Sequence, residues 1–287
     1  MEPVPGGVYL CQVNETVSCG ACCGLYNVAD PSRANLNRLL TRRTETFATL
    51  PRTVAAMDDF SHRVQDRECD KRPFPDFHHC PFIGLIGPRR SRVGCLLHPL
   101  AEGNNGIDWR GLSFYGGLAC HSYFCPATRT LPARYKQLLR LVAQDWYLYG
   151  MVVTEADLVA AMLQWIEQRT GTLLEPSRAM GRPEARRRLT ELLDLKLDWP
   201  FRPSGHDTPC HNFFSDPPHR RPSIDYRGLG VAPSPLDTML RELVCAFDTP
   251  ADLRHAELLL QDRLTAAARA LMDAPTASPN AMKAKTR

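Results

Sequence analysis

The sequence predicts a mainly α protein, with an irregular, cysteine-rich, metal-stapled N-terminal region followed by C-terminal amphipathic helices. Three observations predict it. Nine of the eleven cysteines (Cys11, Cys19, Cys22, Cys23, Cys69, Cys80, Cys95, Cys120 and Cys125) lie in the first 125 residues, leaving only Cys210 and Cys245 beyond. Apolar residues recur at spacings of three and four from about residue 133 onward, the period of a helix with one buried face. Between them, residues 69 to 130 are rich in Gly, Pro and Cys. So long a stretch would not stand as bare coil in a compact domain unless something else held it.

The first element is the cysteine run itself, VSCGACCGL at residues 17 to 25. Adjacent cysteines cannot readily reach the separation and torsion that a disulfide needs. In a reducing compartment, crowded thiols point instead to metal, because thiolates are the ligands that zinc, iron–sulfur clusters and copper(I) select. The Cys19-x2-Cys22 spacing lets one turn direct two sulfurs at one ion, with Gly20 and Gly24 supplying the backbone freedom. Cys23 points another way along the chain, where it can serve a second ion, bridge two ions or stay free.

Further thiols follow beside Gly, Pro or His: Cys80-Pro-Phe, Gly94-Cys95-Leu-Leu-His98-Pro, and Cys120-His-Ser-Tyr-Phe-Cys125-Pro. The predicted metal ligands are Cys19, Cys22, Cys23, Cys80, Cys95, Cys120 and Cys125. Seven thiols exceed one tetrahedral site, so two ions or a polynuclear cluster are implied if all seven ligate. Cys11, Cys69, His79, His98 and His121 stay open as further ligands, and His78 is a candidate of the same kind. Any of these histidines can ligate or donate a hydrogen bond to a ligand.

This order of motifs resembles the YkgJ-like cysteine-cluster family, a zinc- or iron-chelating domain named for the pattern CxxCxxCC. The likeness spans roughly residues 8 to 130. It implies a zinc or iron cofactor and assigns no activity; the same thiols around a cluster give the alternative, an Fe–S redox or electron-transfer enzyme. Two departures stand out: Thr16 occupies the place of the first cysteine, and His98-Pro99 with a Gly-rich insertion replaces the stretch expected after the third block. Cys11 or a nearby histidine is a candidate for the lost position.

The remaining elements follow in order. Residues 33 to 66 predict two helices broken near Pro51. Residues 133 to 150, a run opened by Thr154 as N-cap with Asp157 three residues later, and residues 183 to 197 predict three more. Residues 199 to 234 read as a Pro/Gly-rich connector, 235 to 248 and 251 to 273 as two last helices, and 274 to 287 as a disordered tail. The domain reading is thus a metal-binding block at 1–130, a helical region at 131–198, the connector, the C-terminal helices at 235–273 and the tail. Cys245 belongs to an apolar helix face. The connector's Cys210, His211, His206 and His219 form a weaker second cluster.

A net charge of +4 with scattered Lys and Arg, and no interleaving of basic and aromatic residues around VSCGACCGL, argues against nucleic acid as a partner. No run of about 18 apolar residues is present, and the opening MEPVPGGVYL lacks a charged-then-apolar leader. The expected compartment is therefore the cytoplasm, with no membrane partner. Phosphate loops, dinucleotide fingerprints, nucleophile elbows and HExxH motifs are missing, so no catalytic residue is assigned. The partner called for is a metal ion, with room for a protein partner on the helical side.

Overall fold

The computed structural model describes residues 4–68, 72–113, 116–120, 122–203 and 222–273. Those residues are mainly helical, with ten α-helices and one two-stranded sheet. Helix α1, Arg33–Ala48, starts where the Ser32 side chain accepts from the Asn35 amide at 3.3 Å. It buries Leu36, Leu40, Arg43, Thr44 and Phe47, one face of a 3.6-residue period. Helix α2, Val54–Glu68, buries Met57, Phe60 and Val64. The predicted break at Pro51 falls between the two.

Residues 83 to 95 contain what the periodicity did not show, an antiparallel hairpin of β1, Ile83–Ile86, and β2, Arg92–Cys95, with Ile83 opposite Cys95. Its strands are four residues each, too short to alternate visibly, and β1 is buried on both faces. Helix α1 holds it directly. The Thr44 hydroxyl accepts from the Leu85 amide at 2.8 Å and donates to the Leu85 carbonyl at 3.3 Å. Beneath the hairpin, Phe47, Phe60 and Phe82 form an aromatic cluster with ring centres 5.6 to 6.3 Å apart.

The C-terminal half begins after the short α3, Ala127–Thr130. The predicted single helix over 133 to 150 is two helices, α4 Ala133–Val142 and α5 Trp146–Val152. Asp145 causes the split, its side chain capping α5 by accepting from the Tyr147 and Leu148 amides at 2.9 and 3.0 Å. Helix α6, Ala156–Thr170, follows, and here the N-cap prediction is corrected. Thr154 is buried and caps nothing; Glu155 occupies the cap position, its carboxylate turned to a buried ion pair with Lys196 at 3.1 Å.

Helices α7 Pro176–Met180, α8 Pro183–Asp194, α9 Asp237–Glu242 and α10 Pro250–Met272 complete the bundle, with α10 packed on α6 and α8. Their inward residues, among them Met162, Ile166, Leu189, Leu192, Leu240, Leu260 and Leu264, form one continuous core. Arg187 and Arg188 lie on the outer face of α8 in ion pairs with Glu184 and Glu191. Helix α9 stops short of Cys245, which is buried beyond its end and accepts from the Trp199 indole at 2.9 Å. It is core, but not helix.

All seven residues of α5 are buried, and through them the N-terminal segment meets the bundle. Tyr149 donates to the Leu10 carbonyl at 2.9 Å and Tyr147 to the Pro31 carbonyl at 3.0 Å, while Val8, Leu10 and Val17 join the bundle's core. A side chain at Gly150 would put its Cβ 1.8 Å from the Tyr26 hydroxyl, so this close approach requires glycine. No single helix among the described residues is long and apolar enough to cross a membrane. Cys69, His121, Cys210, His206, His211, His219, the predicted tail and residues 204–221 of the predicted connector lie outside the described residues.

Candidate metal centre

The cysteine run is built from two tight reversals. In the first, Asn14 accepts from the Thr16 and Val17 amides and closes a turn, the Gln12–Ser18 pair bridges antiparallel, and the Cys19 amide donates to the Cys11 carbonyl at 2.8 Å. Cys11 therefore stands across from Cys19. Thr16 is on the exposed tip of the same turn, donating to the Gln144 carbonyl.

The second reversal is a single turn over Ala21–Cys23, ended by Gly24 in the left-handed region at φ 74°. A Cβ on Gly24 would lie 2.1 Å from the His78 carbonyl oxygen, so the following strand of chain packs on a bare backbone there. The Cys80 amide donates to the Cys23 carbonyl at 2.8 Å. The Cys-Pro-Phe segment is thereby laid against the cysteine run, and the hairpin register carries Cys95 to the position opposite Ile83.

Backbone amides bear on four of the sulfurs. Cys19 Sγ accepts from the amide of Ala21, two residues on, at 3.4 Å. At Cys80, Cys95 and Cys125 nearby backbone amides, those of Phe82, Leu97 and Thr128 first, act to lower the thiol against the larger effect of burial. In two of the four, proline follows the cysteine, Pro81 and Pro126, where its fixed φ helps fold the following amides back. A hydrogen bond donated to sulfur favours the thiolate over the thiol, because the charged form is the better acceptor.

Charge divides the thiols around the vicinal pair. Cys22 acts on Cys11, Cys19 and Cys125; Cys23 is acted on by Cys80 and Cys95; and Cys120 acts on Cys80 and Cys95 while itself feeling Cys22. Burial is the main cause that pushes Cys11 and Cys80 up to about 12 and Cys95 up to about 11, and it raises Cys19, Cys120 and Cys125 as well. Cys22 moves the other way. A hydrogen bond from the Cys23 thiol lowers it, and Cys23 is correspondingly raised.

Cations stand around this anion-poor interior. Arg110 lowers Cys95 and Cys120, and Arg43 lowers Cys80. The buried Lys136 ammonium, held by the Gly6 and Thr128 carbonyls at 2.7 Å each, feels Cys125. Tyr9 donates to Cys11 and is pushed up to about 12, first by burial.

Arg43 also ties the second thiol group to the helices. It pairs with Glu68 of α2, donates to the Cys80 and Ile83 carbonyls at 3.1 and 3.4 Å, and donates to His79 Nε2 at 2.6 Å. His79 Nδ1 lies 3.0 Å from the Gly24 carbonyl, which only accepts, so the proton is on Nδ1 and Nε2 is the acceptor. Both ring nitrogens of His79 are thus engaged, Nδ1 by the Gly24 carbonyl and Nε2 by the Arg43 side chain. His98 Nδ1 accepts from the Leu100 amide at 3.1 Å.

Of the seven predicted ligands, the electrostatics ally Cys19, Cys22 and Cys125 on one side and Cys23, Cys80 and Cys95 on the other, with Cys120 acting on Cys80 and Cys95 while feeling Cys22. Cys11, left open by the sequence, joins the first. Periodicity and spacing did not point to Arg43, Glu68, Arg110 and Lys136, ordinary charges in the sequence that come to lie around the thiols only through long-range folding. None of the described cysteines is in a disulfide. Among the described residues, no three His, Cys, Asp or Glu side chains converge closely enough to enclose an ion as they stand. No known protein family, curated protein or solved structure matches the chain.

Proposed function

We propose that residues 8 to 130 form a metal-binding cysteine cluster holding two thiophilic ions, zinc or iron. Cys11, Cys19, Cys22 and Cys125 serve one ion, and Cys23, Cys80, Cys95 and Cys120 the other. The observation that carries this reading is the backbone pairing that lays Cys11 against Cys19 and Cys80 against Cys23, with an amide donating to the Cys19 sulfur at 3.4 Å. A buried thiol gains little from such a donor, whereas a metal-bound thiolate gains a good deal, and donors of this kind tune metal–sulfur sites. The vicinal pair then divides between the ions, one sulfur to each side.

On this reading the ions supply what the region lacks in apolar core. Each thiolate must lose its proton to ligate, so binding releases protons and its free energy becomes folding free energy for the loops that carry the sulfurs. Arg43, Arg110 and Lys136 offset the negative charge that two four-thiolate sites accumulate. Free thiols in this number fit a reducing cytoplasm. The same donor set suits Fe–S clusters, which take four cysteines each, and electron transfer is then the activity to test.

Elemental analysis and an absorption spectrum, on protein purified without oxygen and without an affinity-metal step, test the proposal. Two equivalents of zinc without colour support a structural or carrier role. Iron with sulfide and visible charge-transfer bands supports the cluster form. Metal-free protein that cannot be loaded with either ion sinks the proposal.

A further inference from the structure

Among the described cysteines, one pair is set face to face by the backbone itself. Gln12 and Ser18 are bridged antiparallel, with the Val13 amide donating to the Val17 carbonyl at 3.0 Å and the Cys19 amide to the Cys11 carbonyl at 2.8 Å. The next pair in that register is Cys11 and Cys19. They stand at a hydrogen-bonded position, where opposed Cα atoms are about 5.5 Å apart and both side chains leave the same face. A disulfide spans about 4.4–6.8 Å between Cα atoms. The other thiols of the region are not opposed in this way: Cys22 and Cys23 are neighbours in the chain, Cys95 has Ile83 opposite it, and Cys80 meets Cys23 through a single backbone bond outside any bridge.

The reversal that joins the pair is firmly held. Asn14 accepts from the Thr16 and Val17 amides, the Gln12 side-chain amide donates to the Val93 carbonyl at 2.9 Å, and the Ser18 hydroxyl accepts from the Val93 amide at 3.0 Å. Tyr149 fixes the Leu10 carbonyl, one residue before Cys11. Cys11 and Cys19 are therefore kept in register from both sides. Both are half-buried, open in part to small solutes, and neither is in a disulfide.

We propose that Cys11 and Cys19 form a reversible cross-strand disulfide, a redox lock on the reversal at the head of the cysteine run. The oxidant class is a peroxide. The Cys19 sulfur, which accepts from the Ala21 amide at 3.4 Å, attacks one oxygen of hydrogen peroxide as the thiolate. The O–O bond breaks, the leaving hydroxide takes up the thiol's proton as water, and a sulfenic acid remains on Cys19. The Cys11 sulfur then attacks the Cys19 sulfur; the S–S bond forms, the S–O bond breaks, and the second oxygen leaves as water with the Cys11 proton. Two thiols and one peroxide give one disulfide and two waters, two electrons passing from sulfur to oxygen. Burial raises both thiols, so closure is slow beside that of a dedicated peroxide-reacting thiolate. The bridge takes Cys11 and Cys19 out of use as metal ligands, but it needs no metal itself, and its test is separate from that of the metal-binding reading.

The full chain is treated with a chelator to clear any bound metal, then with hydrogen peroxide at rising concentration. Free thiols are blocked with N-ethylmaleimide, and the unreduced protein is cut after glutamate. Cleavage after the exposed Glu15 separates Cys11 from Cys19, so a closed lock leaves the fragment ending at Glu15 joined to the one starting at Thr16 until dithiothreitol parts them. The join is expected in the wild type, Cys22→Ser and Cys23→Ser, with tandem mass spectra placing it on Cys19, and is lost in Cys11→Ser and Cys19→Ser. Where either of the last two variants fails to fold, the wild-type spectra decide alone. A bridge from Cys11 to Cys22 or Cys23, a bridge between two chains, a product that dithiothreitol does not reverse, or Cys11 still carrying the maleimide at the highest peroxide concentration overturns the proposal.

Discussion

The helical bundle and the cysteine-bearing region reach order by different means. From α4 onward one uninterrupted apolar core does the work, with Leu158, Leu163, Leu189, Leu240, Leu260 and Leu264 all within 2% of full burial. The N-terminal region divides its apolar residues between two smaller clusters, one around Leu36, Leu40 and Ile83 and one around Phe47, Phe60 and Phe82. Directional groups fill the gap: the Arg43 network, the Thr44 bonds to Leu85, and the thiols. Non-directional burial tolerates loss by degrees. A region held by directional groups depends on each of them, and metal binding would be the largest single contributor.

The largest expected effect follows from that dependence. Cys22→Ala combined with Cys23→Ala should remove most bound metal, because one sulfur of each site goes at once; structural zinc in small domains supplies about 10–16 kcal/mol of apparent binding free energy at neutral pH. Hydrogen exchange should then accelerate over residues 8 to 28 and 76 to 97 while α6 and α10 stay protected. Cys245→Ala, in the bundle, should leave metal content unchanged. Equal metal content in both variants would erase the proposed difference between the regions.

Next comes Arg43→Met. Breaking a buried pair by removing one partner costs about 3–5 kcal/mol when the other charge is left uncompensated, and Glu68 is only 3% exposed. Glu68 keeps Arg42, so the lower end of that range is expected. Because Arg43 also holds the Cys80 and Ile83 carbonyls, metal affinity should fall at the second group before the first. Measured by chelator competition, an equal fall at both would show that Arg43 is general scaffold rather than a positioning residue for one site.

Leu260→Ala sharpens the comparison from the other side. Truncating a fully buried leucine costs about 2–5 kcal/mol, and Leu260 lies where α10 meets the core. Urea unfolding should show that loss whether or not metal is present. If chelation of wild-type protein shifts the same transition as strongly, the two regions unfold as one unit.

These contrasts also explain what the sequence could disclose. Helices α1, α2, α8 and α10 were legible because three- and four-residue apolar spacing reports a continuous face, and Pro51 reports its break. The split at Asp145 was not, since a capping aspartate inside an apolar run looks like any polar residue until its side chain turns to the Tyr147 and Leu148 amides. Thr154 and Asp157 fit a capping pattern that Glu155 displaced, because Glu155 is drawn to Lys196, a partner 41 residues away. The β1–β2 hairpin hid in strands of four residues. For the thiols, spacing identified the ligand type but not the grouping: Cys11 joins Cys19 through a turn closed by Asn14, and His79, adjacent to Cys80, turns out to be engaged by the Gly24 carbonyl and the Arg43 side chain.

The smallest predicted effect is in the bundle and concerns acid. Glu167 of α6 accepts from Arg134 at 2.8 and 3.0 Å, from the Tyr135 hydroxyl at 2.6 Å and from the Leu174 amide at 2.8 Å. The Arg134 guanidinium, chiefly, holds its carboxyl down at about 2, against an ordinary 4.5. A depressed folded-state value means that the unfolded chain binds the proton more readily. The contribution is therefore present above pH 4.5 and is lost as the pH falls from there through about 2. Arg134 is 28% exposed, so solvent screens the pair and the contribution is on the order of 1 kcal/mol rather than the full shift. Glu167→Gln should lower the urea midpoint at pH 7 and approach the wild-type midpoint at pH 3, since only the wild type loses a paired charge on acidification. Thiol-bound metal is also lost in acid as protons compete for the sulfurs, so the comparison must be made on metal-free protein. An equal gap between the two proteins at both pH values would show that Glu167 contributes through its hydrogen bonds alone.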